Sequence, residues 1–372
     1  MENRPTTAII DKDALRHNYL EIKKHLARDV NILAVVKADA YGHGAKEVSK
    51  TLEGLGCKYL GVAILEEGIE LRNAGIRSDI IILGGIYNGQ ADDVIKYNLT
   101  PVVYDMKTAE VLNNAAKGKN QKIKIHVKID TGMGRLGILP EEVSSFFNRL
   151  KGLKNIEVEG VITHLAEIDE DERGYSGAQM NLFLKAINMI KEAGFDPMLK
   201  HIANSAAAIN LPSLHFNLVR PGLMLYGVYP EKRLRQKIKL KPMMEIKSRI
   251  IQLKRIPAGS SVSYGRTFTA KRETIIGVVP VGYGDGYLRC LSNKGEMLVH
   301  GTRTKVVGVV CMDLTMLDVT DINNVSKGDE VTILGKNGDE EITAEELAEK
   351  CNTIPYEILC GISKRVPRVY KG

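Results

Sequence analysis

Short apolar runs alternate with polar segments of helical period between residues 31 and 219, and this rhythm limits the possible folds more than any other feature. The runs are too short for helices and rich in β-branched residues, so they indicate strands buried on both faces. They are Asn31–Lys37, Tyr59–Ile64, Asp79–Leu83, Thr100–Tyr104, Lys122–Ile129, Glu157–His164, Met198–Ile202 and Phe216–Val219. About eight parallel strands close a (β/α)8 barrel. An amphipathic helix candidate, Asp11–Arg28, precedes them.

An open, doubly wound sheet is the competing architecture. The first strand is not followed by the GxGxxG pattern of that fold, and the strand count does not stop at about six. We therefore predict a TIM-like barrel, in which functional residues lie at the carboxyl ends of the strands. The polar residues at those ends are Lys37, Lys128, Asp130, His164, Asn204, Ser205 and Arg220.

The pattern changes after Tyr226 to short alternating strands with Gly and Pro turns. The candidates are Glu273–Val281, Glu296–Val299, Lys305–Val310 and Glu330–Ile333, followed by a helix candidate at Thr343–Cys351. A chain of 372 residues is longer than a single hydrophobic core usually grows. We predict a barrel domain over residues 1–235 and a β-rich domain over residues 236–372.

Charge and cysteine usage exclude several classes of protein. The 52 basic and 45 acidic residues are interleaved, so the net charge of +7 does not indicate a nucleic-acid partner. The first residues have no apolar signal core and no apolar run is long enough to cross a bilayer, so we expect a cytoplasmic protein without a membrane partner. The five cysteines show no zinc-like spacing and their number is odd, which favours a reduced compartment and no metal site.

Lys37 ends the first apolar run and precedes the turn ADAYGHG. A partly desolvated amine in this position is nucleophilic enough to form a Schiff base with a carbonyl cofactor. A solvated lysine that merely ends a strand is the alternative.

The segment AVVKADAYGHGA around Lys37 resembles the pyridoxal-phosphate lysine motif of the alanine racemase family. Four further segments extend the resemblance: HVKIDTGMGRLG from His126, HIANSAAA from His201, VRPGLMLYG from Val219 and CMDLTMLDV from Cys311. The sequence ISKRVPRVY, which ends at Tyr370, is another match. The resemblance spans nearly the whole chain and implies a homodimer that binds pyridoxal 5'-phosphate.

The resemblance also implies which residues bind the cofactor. Lys37 would carry it covalently, and Arg220 would face its pyridine nitrogen. Because the pKa of an arginine lies above about 12, that nitrogen would stay unprotonated and the ring would be a weaker electron sink. The full set of cofactor residues is Lys37, Tyr41, His164, Asn204, Ser205, Arg220, Gly222, Leu223 and Tyr356.

Racemisation needs two acid/base groups on opposite faces of the α-carbon. The resemblance implies Lys37 on one face and Tyr264 of the partner subunit on the other. It places Arg135, Met312, Tyr283 and Asp313 at the substrate, and Asp169 and Arg289 in the entry corridor. Lys128 matches a lysine that is carbamylated in many members of the family. Leu314 and Gly284 depart from the family pattern, which puts the substrate range in doubt.

The implied function is the interconversion of L- and D-alanine, with the D-isomer used for cell-wall peptidoglycan. Serine or another small amino acid is an alternative substrate, because one hydroxyl discriminates weakly. A non-catalytic barrel protein that binds the same cofactor is disfavoured, since this chain continues past the barrel with Tyr264 and the CMD motif. A decarboxylase of basic amino acids is disfavoured by Arg220.

Overall fold

The first strand, β1 (Thr7–Asp11), lies outside the barrel, in a sheet formed mainly by the C-terminal half of the chain. In this computed structural model the described residues are 4–168 and 174–372. Helix α1 (Lys12–Lys24) follows, and the Asp11 carboxylate caps it by accepting a hydrogen bond of 3.0 Å from the backbone N–H of Ala14. The helix predicted over Asp11–Arg28 is therefore present but shorter.

Eight parallel strands then form one sheet, as the apolar runs predicted. They are β2 (Asn31–Val35), β3 (Tyr59–Val62), β4 (Asp79–Ile82), β5 (Thr100–Val103), β6 (Ile123–Lys128), β7 (Ile156–Ile162), β8 (Leu199–His201) and β9 (Leu218–Val219). The order across the sheet is β8, β7, β6, β5, β4, β3, β2, β9. The backbone N–H of Arg220 donates to the carbonyl of Ala203 over 2.9 Å, which brings the two outer strands together and completes the barrel.

Helices connect the strands and cover the outside of the barrel. They are α2 (Ala45–Gly54), α3 (Leu65–Asn73), α4 (Ala91–Lys96), α5 (Met106–Gly118), α6 (Val143–Leu150), α7 (Tyr175–Glu192) and α8 (Ser205–Asn210). Their apolar faces pack on the strands, because a strand that is buried on both faces needs a covering layer. Leu60, Ile81 and Val127 in the strands are fully buried as a result.

The remaining chain is rich in strands, as predicted. It contains β10 (Met244–Arg249), β11 (Gln252–Ile256), β12 (Ser261–Val262), β13 (Phe268–Thr269), β14 (Thr274–Val279), β15 (Glu296–Val299), β16 (Thr302–Lys305), β17 (Thr315–Asp318), β18 (Glu330–Asn337), β19 (Glu340–Ile342) and β20 (Arg368–Lys371), with helices α9 (Ala344–Cys351) and α10 (Pro355–Cys360). Strand β1 pairs antiparallel with β10 and parallel with β20. The exact domain boundary stays a prediction.

Two expectations for this half of the chain were wrong. The strand predicted at Lys305–Val310 is displaced, because the hairpin strand β16 ends at Lys305 and Gly308 adopts a φ of +78°. Cys290 and Cys351 form a disulfide with Cα atoms 5.6 Å apart, whereas all five cysteines were expected to be reduced. The pairing joins residues 61 apart in sequence, so it depends on how α9 packs and not on a local spacing.

Candidate active site

A cavity of about 410 Å³ opens at the carboxyl ends of the barrel strands. Eleven of the residues that line it were predicted from the sequence: Lys37, Tyr41, Lys128, Arg135, His164, Asn204, Ser205, Arg220, Gly222, Leu223 and Tyr356. The rest are Val35, Ala63, Leu83, Gly84, Leu136 and Ile162, which sequence reasoning missed. All except Leu136 lie in or next to strand ends, so their position along the predicted strands was the available signal, whereas Leu136 follows Arg135 in the loop after β6. The described lining holds four cationic side chains and no carboxylate, which suits an anionic ligand.

Lys37 and Tyr41 are presented by a left-handed backbone turn. Four consecutive residues, from Ala38 to Tyr41, have φ between 51° and 54°. Side chains make this conformation unfavourable, so neighbouring groups must hold it. The Ala38 N–H donates to Glu67 over 2.6 Å, and His43 Nδ1 lies 2.9 Å from the carbonyl oxygen of Ala40. The turn directs both Lys37 and Tyr41 into the cavity.

Lys37 has the electrostatic surroundings of a nucleophilic amine. Burial lowers its pKa, and the positive charge of Arg135 lowers it further, while Glu67 acts in the opposite direction. Its amine has no hydrogen-bond partner among the described residues. A lysine of this kind is neutral in a larger fraction of molecules at neutral pH than a solvated one.

Hydroxyl and backbone groups form a cradle at one end of the cavity. The backbone N–H of Gly222 donates to Ser205 Oγ over 2.8 Å. A Cβ atom on Gly222 would lie 2.6 Å from the Tyr41 hydroxyl oxygen, so only glycine leaves this space open. Burial and the neighbouring Tyr356 raise the pKa of Tyr41, so its hydroxyl keeps its proton and remains a donor. The cradle has the donors and the space that a phosphate requires.

Arg220 crosses the wall of the cavity and is 5% exposed. Its Nη2 donates to the carbonyl oxygens of Thr163 (2.8 Å) and Ile202 (3.0 Å), and lies 3.1 Å from His164 Nδ1. Burial lowers the pKa of Arg220 to about 9, so the guanidinium remains charged at neutral pH. Burial and the charge of Arg220 lower the pKa of His164 to about 3. His164 is therefore neutral, accepts at Nδ1 and carries its hydrogen on Nε2.

Arg135 enters the cavity from a loop that Asp130 organises. The Asp130 carboxylate accepts backbone N–H groups from Gly132 (2.9 Å), Gly134 (3.1 Å) and Arg135 (3.1 Å). Lys128, at the end of β6, lines the same cavity and is 5% exposed. Burial, followed by the charges of Arg135 and Arg220, lowers the pKa of Lys128 to about 8.

Four predicted site residues from the second domain do not line the cavity of their own chain. They form an exposed surface that we call the second-domain patch: Tyr264, Tyr283, Met312 and Asp313. Tyr264 is 72% exposed and Met312 51% exposed. Backbone hydrogen bonds from Tyr283 to Cys311 (3.0 Å) and from Gly284 to Met312 (2.9 Å) hold two loops of the patch together.

The two residues predicted in the entry corridor are also outside the cavity lining. Arg289 is exposed and lies in a short 3-10 turn, Arg289–Leu291, of the second domain. Asp169 lies outside the described residues. Leu314, which departs from the family pattern, is 37% exposed beside the second-domain patch, and its carbonyl accepts the N–H of Cys311 over 3.0 Å.

A nucleophilic lysine, a phosphate cradle and a buried guanidinium meet at the top of a parallel barrel that a β-rich domain follows. These features fit pyridoxal 5'-phosphate: Lys37 could bind its aldehyde, the cradle could hold its phosphate, and the cationic lining could balance its negative charge. Fold and site together define an enzyme of the pyridoxal-phosphate barrel class.

Comparison with known proteins gives the family within that class. The model of the alanine racemase N-terminal domain matches residues 10–230, and that of the C-terminal domain matches residues 243–370. The alanine racemase of Geobacter sulfurreducens is 50% identical, over 100% of this chain and 98% of the relative. A solved alanine racemase structure from Clostridium difficile has a TM-score of 0.95 at 41% identity, covering 100% of this chain and 97% of the other. A Bartonella henselae alanine racemase structure with covalently bound pyridoxal phosphate has a TM-score of 0.87 at 29% identity, covering 99% of each chain. The chain belongs to the alanine racemase family.

Proposed function

We propose that this protein is a pyridoxal-phosphate-dependent racemase that interconverts L-alanine and D-alanine. The observation that carries the proposal is the convergence of Lys37, the phosphate cradle and Arg220 in one cavity of a chain similar to alanine racemases along its whole length. We also propose that residues 1–235 and 236–372 form its two domains.

The chain would hold the cofactor at three points. Lys37 would bind it covalently, Ser205 and Tyr41 would contact its phosphate together with Tyr356 and the backbone of Gly222 and Leu223, and Arg220 would face its ring nitrogen beside His164 and Asn204. When bound, the cofactor withdraws electrons from the amino acid and acidifies its Cα–H bond. The guanidinium of Arg220 would stay protonated, which limits how far the ring nitrogen can be protonated.

Two groups would then move the Cα proton. On one face, Lys37 would take the proton as a neutral amine or deliver one as an ammonium. On the opposite face, Tyr264 of the partner subunit would take it as a phenolate or deliver one as a phenol. Three observations support a shared site in a homodimer. Tyr264 is 72% exposed, it does not reach the cavity of its own chain, and Ser263 before it adopts a φ of +66°. Such strained backbone is more frequent at functional sites.

His164 suits the proposed tyrosine. Its Nδ1 is engaged by Arg220, so its Nε2–H is the group available to a phenol oxygen in the cavity. A hydrogen bond to the phenolate form lowers the pKa of a tyrosine, and a phenol with the ordinary pKa of about 10 is a poor base at neutral pH.

Arg135 would bind the substrate carboxylate, with Tyr283, Met312 and Asp313 of the partner subunit closing the site. We propose that Lys128 is carbamylated. Its lowered pKa favours the neutral amine, whose nitrogen forms a bond to carbon dioxide and releases one proton. The resulting anion would hold the Arg135 guanidinium in place, whereas an ammonium would repel it.

We further propose a cytoplasmic location, an entry corridor that includes Asp169 and Arg289, and a role in supplying D-alanine for peptidoglycan. Among the helices of the described residues, none has the length and apolar composition needed to cross a bilayer. We also propose that the protein has no nucleic-acid partner; the pairing of acidic and basic side chains on its surface, as in Arg149–Glu110 and Arg272–Asp321, supports this.

The proposal is tested by an absorbance spectrum of the purified protein followed by a chiral assay on alanine and serine in parallel. We expect a visible band from bound cofactor, and interconversion of the alanine enantiomers with a higher kcat/KM than for serine. Lys37→Ala should remove both the band and the activity, while Lys124→Ala, a half-exposed lysine on the same barrel, should retain them. A colourless protein, or one that racemises serine and not alanine, would contradict the proposal.

A further inference from the structure

A continuous series of buried hydrogen bonds runs through the barrel interior from Arg220 to a carboxylate that does not line the cavity. Arg220 Nη1 lies 3.2 Å from His201 Nδ1, and His201 Nε2 lies 2.8 Å from His126 Nδ1. His126 Nε2 lies 3.3 Å from Glu159 Oε2. Both histidines are 0% exposed and Glu159 is 4% exposed. We call Arg220, His201, His126 and Glu159 the barrel relay.

The two ends of the barrel relay determine the direction of every hydrogen bond between them. An arginine only donates and a carboxylate only accepts. His201 must therefore accept at Nδ1, carry its hydrogen on Nε2 and donate to His126 Nδ1. His126 must in turn donate from Nε2 to Glu159. A second proton on either ring would remove an acceptor, so both histidines are held neutral with the hydrogen on Nε2.

The local sequence of β7 makes room for this arrangement. Ile125 pairs with Val158 and His126 pairs with Gly160, so Glu159 is an extra residue without a partner on β6. Such a β-bulge redirects the side chain of the extra residue. A Cβ on Gly160 would lie 2.7 Å from the His126 ring, so the glycine leaves space for the imidazole.

The carboxylate at the end of the barrel relay remains charged. Burial alone would raise the pKa of Glu159, but hydrogen bonds from His126 and Lys124 hold it below its ordinary value. The Lys124 amine is 2.6 Å away. The described hydrogen-bond partners of Arg220 are all neutral groups, namely two carbonyls and two imidazoles. Glu159 therefore supplies the negative charge of this network.

We propose that Glu159 is a positioning residue, which acts through His126 and His201 to fix the imidazole tautomer that accepts from Arg220 and so keeps the guanidinium in one orientation at the cavity wall. The tautomers depend only on contacts within this chain. Their effect on catalysis rests on the proposed function, in which Arg220 faces the cofactor.

The tautomers are measured by nitrogen-15 NMR of the histidine side chains in the purified holoenzyme at neutral pH. The chain has 8 histidines, and His126→Asn and His201→Asn variants would assign the two signals. We expect both rings to be neutral with the hydrogen on Nε2. An imidazolium, or a hydrogen on Nδ1 of either ring, would overturn the proposal. The NMR measurement does not depend on racemase activity. If the protein has these tautomers but no racemase activity, the proposed function is contradicted and the tautomer assignment still stands.

Substitutions at Glu159 test its role. Glu159→Leu removes the acceptor and should give mixed tautomers at His126 and His201. We expect kcat to fall by about ten- to a hundredfold, the loss that is usual when the hydrogen-bond partner of a metal-binding histidine is removed in other proteins. Glu159→Gln retains an acceptor and should restore the tautomers and most of kcat. Lys124→Met removes only the exposed partner and should change kcat by about twofold or less. Native tautomers and native kcat in Glu159→Leu would overturn the proposal. If Glu159→Leu does not fold, the tautomers of His126 and His201 in the spectra of the wild type and of Glu159→Gln decide whether the proposal stands.

Discussion

The barrel and the second domain present their predicted site residues in opposite ways. In the barrel, Lys37, Arg220 and Lys128 are buried or half-buried and converge on one cavity, where burial lowers their pKa values. In the second domain, Tyr264 and Met312 are exposed and do not reach that cavity. The difference is what we expect of the proposed homodimer, in which the barrel of one chain would bind the cofactor and the second domain of the partner subunit would close the site.

The largest effect should come from the second-domain patch. Tyr264→Phe removes one of the two proposed acid/base groups, each of which contributes about 10²- to 10⁴-fold. We expect the rate of Cα-proton exchange to fall by this factor when one enantiomer is the substrate, and far less when the other enantiomer is the substrate. Deuterium incorporation from each enantiomer measures it. Tyr87→Phe, at a tyrosine 68% exposed on the barrel, is the matched control. Equal and mild losses in both directions would count against the two-base assignment.

Removal of the disulfide should lower the stability of the protein and leave its activity nearly unchanged. Cys290 and Cys351 lie in the second domain, outside the cavity lining. Replacing both by serine should lower the free energy of unfolding by about 2–4 kcal/mol, because a cross-link restricts the unfolded chain. The kcat should remain close to that of the wild type. Denaturant unfolding and steady-state kinetics measure the two quantities, with Cys360→Ser as the control for an unpaired cysteine. A loss of activity at full stability would contradict this expectation.

Acid should destabilise the barrel before the second domain. Burial lowers the pKa of His43 to about 4, and that of His164 to about 3. The unfolded chain takes up these protons near the ordinary histidine pKa of about 6.5 and the folded barrel does not, so stability falls as pH drops below that value. His43 alone should cost about 2 kcal/mol between pH 6.5 and pH 5.

The second domain has one described histidine, His300, which is half-exposed and pairs with Asp329 over 2.9 Å. Hydrogen exchange read by mass spectrometry at pH 7 and pH 5 should therefore show protection lost first in barrel peptides. His43→Gln should reduce the pH dependence, and His25→Gln, at an exposed histidine of the barrel domain, should not. Equal loss in both domains would show that the buried imidazoles are not responsible.

The smallest effect should come from the phosphate cradle. Gly222→Ala would place a Cβ 2.6 Å from the Tyr41 hydroxyl oxygen and crowd the space proposed for the phosphate. We expect the Kd for pyridoxal phosphate to rise about tenfold, which corresponds to roughly 1.4 kcal/mol. Equilibrium titration of the cofactor-depleted protein measures it. Gly118→Ala meets no atom within 4 Å and is the control. An unchanged Kd would place the phosphate elsewhere.

Sequence reasoning succeeded where a feature depends on a local pattern. The eight barrel strands follow from the apolar periodicity, and Lys37 and Arg220 lie at strand ends, where the fold itself predicts function. Features that depend on tertiary contacts were missed. The left-handed turn after Lys37 needs Glu67 and His43 from outside it, and the disulfide needs the packing of α9.

The buried carboxylate of Glu159 was also missed, because a β-bulge reverses the side on which a strand residue points. The apolar run predicted at Glu157–His164 contained no sign of the extra residue. The position of Tyr264 was a different case. The family resemblance implied its role, whereas in the structure Tyr264 is exposed and does not line the cavity of its own chain, so its role at the partner subunit's cavity stays a proposal.

Mixing two inactive variants tests the shared site most directly. Lys37→Ala and Tyr264→Phe chains are denatured together, refolded with pyridoxal phosphate and assayed for alanine racemisation. If each site combines Lys37 of one chain with Tyr264 of the partner subunit, a mixed dimer regains one intact site, and random pairing should restore about a quarter of wild-type activity. If both groups act within one chain, no mixed dimer has a complete site. Activity no higher than that of the separate variants would contradict the shared site.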